Sequence, residues 1–201
     1  MITPERFSLI KEKYGNCASW AVWASEGANA TSNISDLSIF DSEEILETLN
    51  PNVIVVGLNI SRDDLKDKLP FANFHSDYPK AKEYKLRRVL KDTSWWGAYL
   101  TDVIKDFPEI YSGNVLKALN DDPEIEINNI KIFLQEIKDL GSINPTIVAL
   151  GWDAYRILKK HLLQEYNVTQ ITHFSATNIT LEDYKQEVLE RSKQDLALTS
   201  F

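Results

Sequence analysis

Asn52-Val53-Ile54-Val55-Val56-Gly57-Leu58-Asn59-Ile60-Ser61 is the stretch whose reading decides the fold. Its first half is a continuous β-branched run, the pattern of a strand buried on both faces of a parallel sheet. At Gly57 it turns abruptly to Gly-x-Asn-x-Ser, small and polar, as a buried strand does where it opens into a site. Ligands of open α/β sheets bind beyond the carboxyl ends of the strands. Three later stretches have the same shape: residues 97–101 running into Asp102, 145–150 closed by Gly151, and 168–172 ending in His173-Phe174-Ser175. Their tips are expected side by side, forming a binding pocket.

Helical patterns lie between and around these strands. Residues 4–26 read as a helix, with Phe7, Ile10, Tyr14 and Ala18 at three- and four-residue spacings, and with Trp20 and Trp23 covering an edge of the core. Asp41 or Ser42 caps a short helix ending near Asn50, with Pro51 stopping it before the first strand. Residues 78–91 resume the helical pattern with basic residues outward. Asp122-Pro123 starts a helix that runs to Leu140 and stops at Gly141, and another follows Gly151 directly. The last helix begins around Thr180, where Thr180-x-x-Asp183 is a near capping box. Strands alternating with helices give an α/β fold, a three-layer α/β/α sandwich with a central, mainly parallel four-stranded sheet. The chain reads as one domain over residues 1–201, with residues 1–50 as a helical part packed on it.

Bulk properties restrict the function. At 201 residues, 43% of them hydrophobic, the chain supports one core. No run approaches the ~18 apolar residues of a membrane span, and the start lacks the layout of a signal peptide. A cytoplasmic protein with no membrane partner is the expectation. A single cysteine, Cys17, excludes an intramolecular disulfide and a multi-cysteine zinc site and reads as a buried inert thiol. The net charge of −8 argues against a broadly basic surface but leaves room for a local basic rim. The charged run from Arg62 to Lys68 reads as a solvated loop rather than a metal cluster. Dinucleotide, P-loop and nucleophile-elbow motifs are all missing.

The strand ends carry a resemblance. Gly57-Leu58-Asn59 resembles the Gly-x-Asn motif of the uracil-DNA glycosylase superfamily, in its mismatch-specific and single-strand-selective branches. Pro70-Phe71 resembles the segment whose ring stacks on the flipped base. Leu100-Thr101-Asp102-Val103-Ile104-Lys105 is similar to the strand bearing the base-reading Asn, followed by a hydrophobic pair and Lys. The segment from Ile147 to Ala154 is similar to the strand-Gly-x-x-Ala-helix element, and His173-Phe174-Ser175 to the late His-x-Ser motif.

The resemblance implies a monomeric, cofactor-free and metal-free DNA glycosylase that flips out uracil or another altered base. His173 would donate to the base oxygen as negative charge develops there, and Asn59 would position water toward the anomeric carbon. Gly57, Leu58, Phe71 and Asp102 would bind the base, with Phe71 stacking on it. Ser61, Arg62, Lys105 and Ser175 would hold the DNA backbone. A basic collar is expected from Arg62, Lys105, Arg87 or Arg88.

Departures shape this reading. Asp102 stands where the family's reader is usually Asn, and an ionised carboxylate only accepts hydrogen bonds. Either burial keeps Asp102 protonated, or the site prefers a base edge with two donors. Asp102 also reads as a helix cap, Asn59 as a turn former and His173 as a structural histidine. Ile60, Phe174 and Ala176 replace prolines common in the family's motifs. Two other functions stay open: a non-catalytic member that binds a nucleobase, nucleotide or nucleic acid, and an unrelated α/β protein that binds a small metabolite.

Overall fold

The computed structural model describes residues 2–61, 69–76, 78 and 80–199, the last four as backbone alone. Five strands, β1 (Ser19–Trp20), β2 (Asn50–Asn59), β3 (Ala98–Ile104), β4 (Thr146–Leu150) and β5 (Val168–Ile171), form one sheet in the order β1-β3-β2-β4-β5. Six helices surround it: α1 (Pro4–Tyr14), α2 (Glu83–Leu90), α3 (Ser112–Asp121), α4 (Pro123–Leu140), α5 (Trp152–Leu162) and α6 (Leu181–Thr199). The four long strands are parallel, and β1 adds to β3 in the antiparallel sense. The sheet therefore has five strands rather than four.

The alternation of side chains along β2 explains the layers. Ile54, Val56 and Leu58 join a core completed by α1, α3, α4 and α5, while Val53 and Val55 join one completed by α2 and α6. This is a three-layer arrangement, and it sends the connections from β2 and from its neighbours β3 and β4 to opposite faces. They diverge at the carboxyl end of β2, which leaves the crevice there.

Local signals account for several boundaries. Asp122 caps α4 by accepting from Glu124 N at 3.1 Å, Pro123 takes the first turn, and Gly141 ends the helix in the left-handed region. Thr180 Oγ1 accepts from Asp183 N at 3.1 Å and donates to Asp183 Oδ2 at 2.7 Å, completing the cap of α6.

The N-terminal reading is corrected. The first helix ends at Tyr14 rather than near residue 26, because the chain turns at Gly15 to lay Ser19 and Trp20 against β3. Trp20 is fully buried and meets Tyr99 edge-on at 5.0 Å, so it is core, as is Trp23. Pro51 lies inside β2, where the register with β3 shifts between Asn50 and Ile54, a place that tolerates a residue without N–H. The turn before it is a short 3-10 helix, Glu43–Glu47, capped by Ser42.

Candidate active site

Gly57 and Asp102 are register partners on β2 and β3. A Cβ at Gly57 would lie 2.2 Å from Asp102 Oδ1 and 3.6 Å from Phe74 Cζ. Glycine is required because the carboxylate and the ring close over the strand at that point. Leu58 points to the opposite face and packs in the core, so its side chain is not offered to a base. Asn59 returns to the Gly57 face. Its Nδ2 donates to Ile60 O at 2.9 Å and Glu109 O at 2.8 Å, with Phe107 O at 3.5 Å. Carbonyls only accept, so the amide orientation is fixed, and Oδ1 has no partner among the described residues.

Asp102 is buried within β3, two residues before its end, and not at a strand tip. A helix-capping role is therefore set aside. Asn73 Nδ2 donates to Asp102 Oδ2 at 2.9 Å and to Cys17 O at 2.8 Å, which uses both of its protons. Asn73 Oδ1 accepts from Phe74 N at 3.1 Å. Burial pushes the Asp102 carboxyl up to about 6, against the opposing pull of the Asn73 bond and the Lys105 charge. Because Asn73 holds Oδ2 as an acceptor, a proton on Asp102 sits on Oδ1, beside Gly57 and Phe74. Asn73 and Phe74 were missed in the sequence. The only signal was a second Phe three residues after Phe71.

Phe71 itself is corrected. It is fully buried between Phe7 (5.5 Å) and Phe40 (5.2 Å), and its backbone bonds Gly15 and Ser19. A ring in that position supports the core and cannot stack on a base. Phe74 takes the place beside Asp102 and meets Phe174 at 6.4 Å, edge to face. Both Phe71 and Phe74 adopt positive φ, 70° and 64°, an unusual conformation for a bulky residue.

The chain of contacts continues to His173. Its ring stacks on Phe174 at 4.4 Å, and its Cβ would be 3.3 Å from a Cβ added at Gly151, whose φ is 86°. Ser175 N donates to His173 Nδ1 at 3.2 Å, and Ser175 Oγ lies 2.7 Å from the same atom. A backbone N–H can only donate, so Nδ1 is the acceptor and the neutral ring carries its proton on Nε2. Burial pushes the imidazole down to about 4, which keeps it neutral near pH ~7. Ser175 thus orients His173, and its backbone amide is not free for a phosphate. Lys85 Nζ donates to Ala176 O at 3.0 Å and ties this loop to α2.

The expected basic collar is largely internal. Lys105 has a side chain 8% exposed; its Nζ donates to Asp102 O and lies 2.9 Å from Glu136 Oε2, an ion contact without hydrogen-bond alignment. Glu136 Oε1 accepts from Tyr99 at 2.6 Å and Thr101 at 3.0 Å. Lys105 therefore braces β3 against α4 and is not presented to a DNA backbone. Arg87 is buried and donates to Ala24, Ser32 and Ala30 carbonyls, and Arg88 pairs with Glu26. Ser61 is exposed at the end of β2, and Arg62 lies outside the described residues. Cys17 is buried, with its thiol pushed up to about 12, an unreactive state.

Together these groups put a neutral ring N–H (His173), an amide oxygen (Asn59), a ring (Phe74) and a carboxylate (Asp102) around the carboxyl ends of the sheet. The family model described as Uracil DNA glycosylase superfamily matches residues 45–197, which takes in every one of them. No curated protein and no solved structure matches the chain.

Proposed function

Since the chain belongs to the uracil-DNA glycosylase superfamily, we propose that it hydrolyses the N-glycosidic bond of an altered base in DNA. The observation that carries the reading is the Ser175 N–H on His173 Nδ1, which leaves Nε2–H as a neutral donor. As the C1′–N bond breaks, its electron pair leaves with the base, and Nε2–H stabilises the charge building on the base oxygen. Water held by Asn59 Oδ1 adds through its oxygen to C1′ and loses a proton, which neutralises the departed base anion. Phe74 stacks on the extruded base in place of Phe71. At neutral pH Asp102 is mostly ionised, so Oδ1 accepts, and a base edge presenting two donors, such as the N1–H and amino group of a guanine-like base, fits better than the O4 edge of uracil.

One observation favours a second reading, a base- or nucleotide-binding member without catalysis. Of the three described cations expected around the crevice, Lys105 and Arg87 are buried and Arg88 is paired with Glu26 at the surface. Single-turnover excision separates the two. Oligonucleotides carrying uracil, hypoxanthine or xanthine, single-stranded and opposite each base, are tested at low salt with wild type, His173→Ala and Asn59→Ala. Excision by wild type that is lost in His173→Ala supports hydrolysis. Base or nucleotide binding with no cleavage in any strand context supports the second reading.

A further inference from the structure

A stripe on α5 is unused by the site described above. Trp152, Tyr155, Arg156 and Lys159 stand at i, i+3, i+4 and i+7, the spacing of one helical face. Trp152 is 65% exposed, whereas Trp20, Trp23 and Trp95 are buried and Trp96 is half-buried. A large ring left open to water has no packing reason to be there. It lies 5.5 Å from the Tyr155 ring, and Lys159 Nζ stands 5.5 Å from the centre of that ring. The Arg156 side chain is 60% exposed, with only a long 3.8 Å contact to Asp153. An exposed pair of this kind contributes little and exchanges readily. Lys160, one residue on, is already paired with Glu126 at 2.7 Å and adds nothing to the stripe.

The position of the stripe identifies its partner. Trp152 directly follows Gly151, the residue on which His173 rests. The stripe therefore leads away from the crevice as two aromatic rings followed by two cations. Rings continued by cations match the chemistry of an unpaired strand, whose bases offer stacking faces and whose phosphates offer charge. A duplex keeps its bases stacked on each other. In a chain of net charge −8, a local run of this sign complements a polyanion that the rest of the surface repels.

We propose that Trp152, Tyr155, Arg156 and Lys159 form a stacking platform for single-stranded DNA flanking the base held at His173. It rests on the nucleic-acid reading above and makes the single strand the preferred substrate. A neighbouring base stacks on Trp152, and the next phosphates meet Arg156 and Lys159.

The test uses the full chain and an undamaged oligothymidylate of about 12 nucleotides, so that binding is read apart from excision. The oligonucleotide is expected to quench the exposed tryptophan saturably and to bind more tightly than a duplex of equal length. By anisotropy, Trp152→Ala should weaken binding between about fivefold and about a hundredfold, with Trp152→Phe retaining most of it. Arg156→Ala with Lys159→Ala should lower the log–log salt slope by about 1.4, the effect of two single-strand phosphates. Binding that ignores Trp152→Ala, tighter binding of the duplex, equal competition by polyphosphate, or binding of anionic vesicles alone would each overturn the platform. Platform binding without excision of any base would overturn the hydrolase reading alone, and excision indifferent to Trp152 would overturn the platform alone.

Discussion

Replacing Asp102 with Asn tests the base-reading argument most sharply, because the burial of the carboxyl gives the result a definite pH dependence. In the Asp102→Asn variant the new amide oxygen takes the Asn73 Nδ2 proton, as Asp102 Oδ2 does at 2.9 Å. The amide nitrogen then points where Oδ1 stood, beside Gly57 and Phe74, and donates to uracil O4. Were wild type always ionised, repulsion of the departing base at ~4 Å and an effective dielectric of ~20 would cost about 4 kcal/mol, around a thousandfold in rate. With its carboxyl pushed up to about 6, however, about a tenth of Asp102 is protonated at pH ~7, and that fraction donates from Oδ1 as the amide would.

The gain in uracil excision is therefore about tenfold at pH ~7, about a hundredfold at pH ~8, and close to nothing at pH ~5. Single-turnover excision from a single-stranded uracil oligonucleotide across that range measures it. A gain that stays flat with pH would refute the protonation argument, and no gain at any pH would remove Asp102 from base reading. Stability supplies an independent check with a definite sign. A carboxyl raised from 3.8 to about 6 on folding stabilises the fold below pH ~4, and that stability is lost as pH rises through about 6. Asp102→Asn should thus gain about 3 kcal/mol over wild type at neutral pH relative to acid, measured by urea denaturation.

Three further outcomes follow from the same geometry. Glu136→Ala leaves Lys105 charged and buried without its partner, and should cost about 3–5 kcal/mol in thermal or urea unfolding. Phe71→Ala should destabilise the fold by about 3–5 kcal/mol, through the cavity it opens between Phe7 and Phe40. Phe74 is also buried, in the core shared with α2 and α6, so Phe74→Ala should lose stability as well. The exchange of roles predicts that, compared as folded proteins, Phe74→Ala lowers excision or base binding more than Phe71→Ala does, and equal excision by the two would contradict it. Gly151→Ala puts a methyl group 3.3 Å from His173 Cβ at a φ of 86°. It should cost about 1 kcal/mol or more of stability and displace the imidazole, so excision falls while circular dichroism keeps the native fold.

The sheet was legible because its strands carry their own signal. Residues 53–56 and 147–150 are apolar runs buried on both faces, and α4 announces both of its ends through Asp122, Pro123 and Gly141. β1 was not legible, since two residues following a helical pattern have no period of their own and pair only because β3 offers an edge. The site divides in the same way. Asn59 ends β2, Gly57 lies two residues before it and His173 just past β5, so their places on the sheet are readable from local pattern. Lys105, Arg87 and Phe71 were misjudged because their partners come from elsewhere in the chain: Glu136 for Lys105, the carbonyls of Ala24, Ala30 and Ser32 for Arg87, and Phe7 and Phe40 for Phe71. A charge or ring in a sequence says nothing about such distant neighbours.

That failure also locates what is particular to this chain. Residues 71–75 turn through two left-handed phenylalanines, and the turn sends Phe71 into the core while bringing Asn73 and Phe74 to Asp102. The next residue, His75, is buried between Ile34 O at 3.2 Å and Trp20 O at 3.4 Å, its imidazole pushed down to about 4 by burial. One short loop thus anchors itself in the core at Phe71 and His75 and brings Asn73 and Phe74, between them, to Asp102. Anchors on both sides restrict the freedom of Asn73 and Phe74, which is the preorganisation a base reader needs. The loop and Asp102 form one unit, so exchanging the carboxylate for an amide changes the chemistry offered to a base without changing where it is offered.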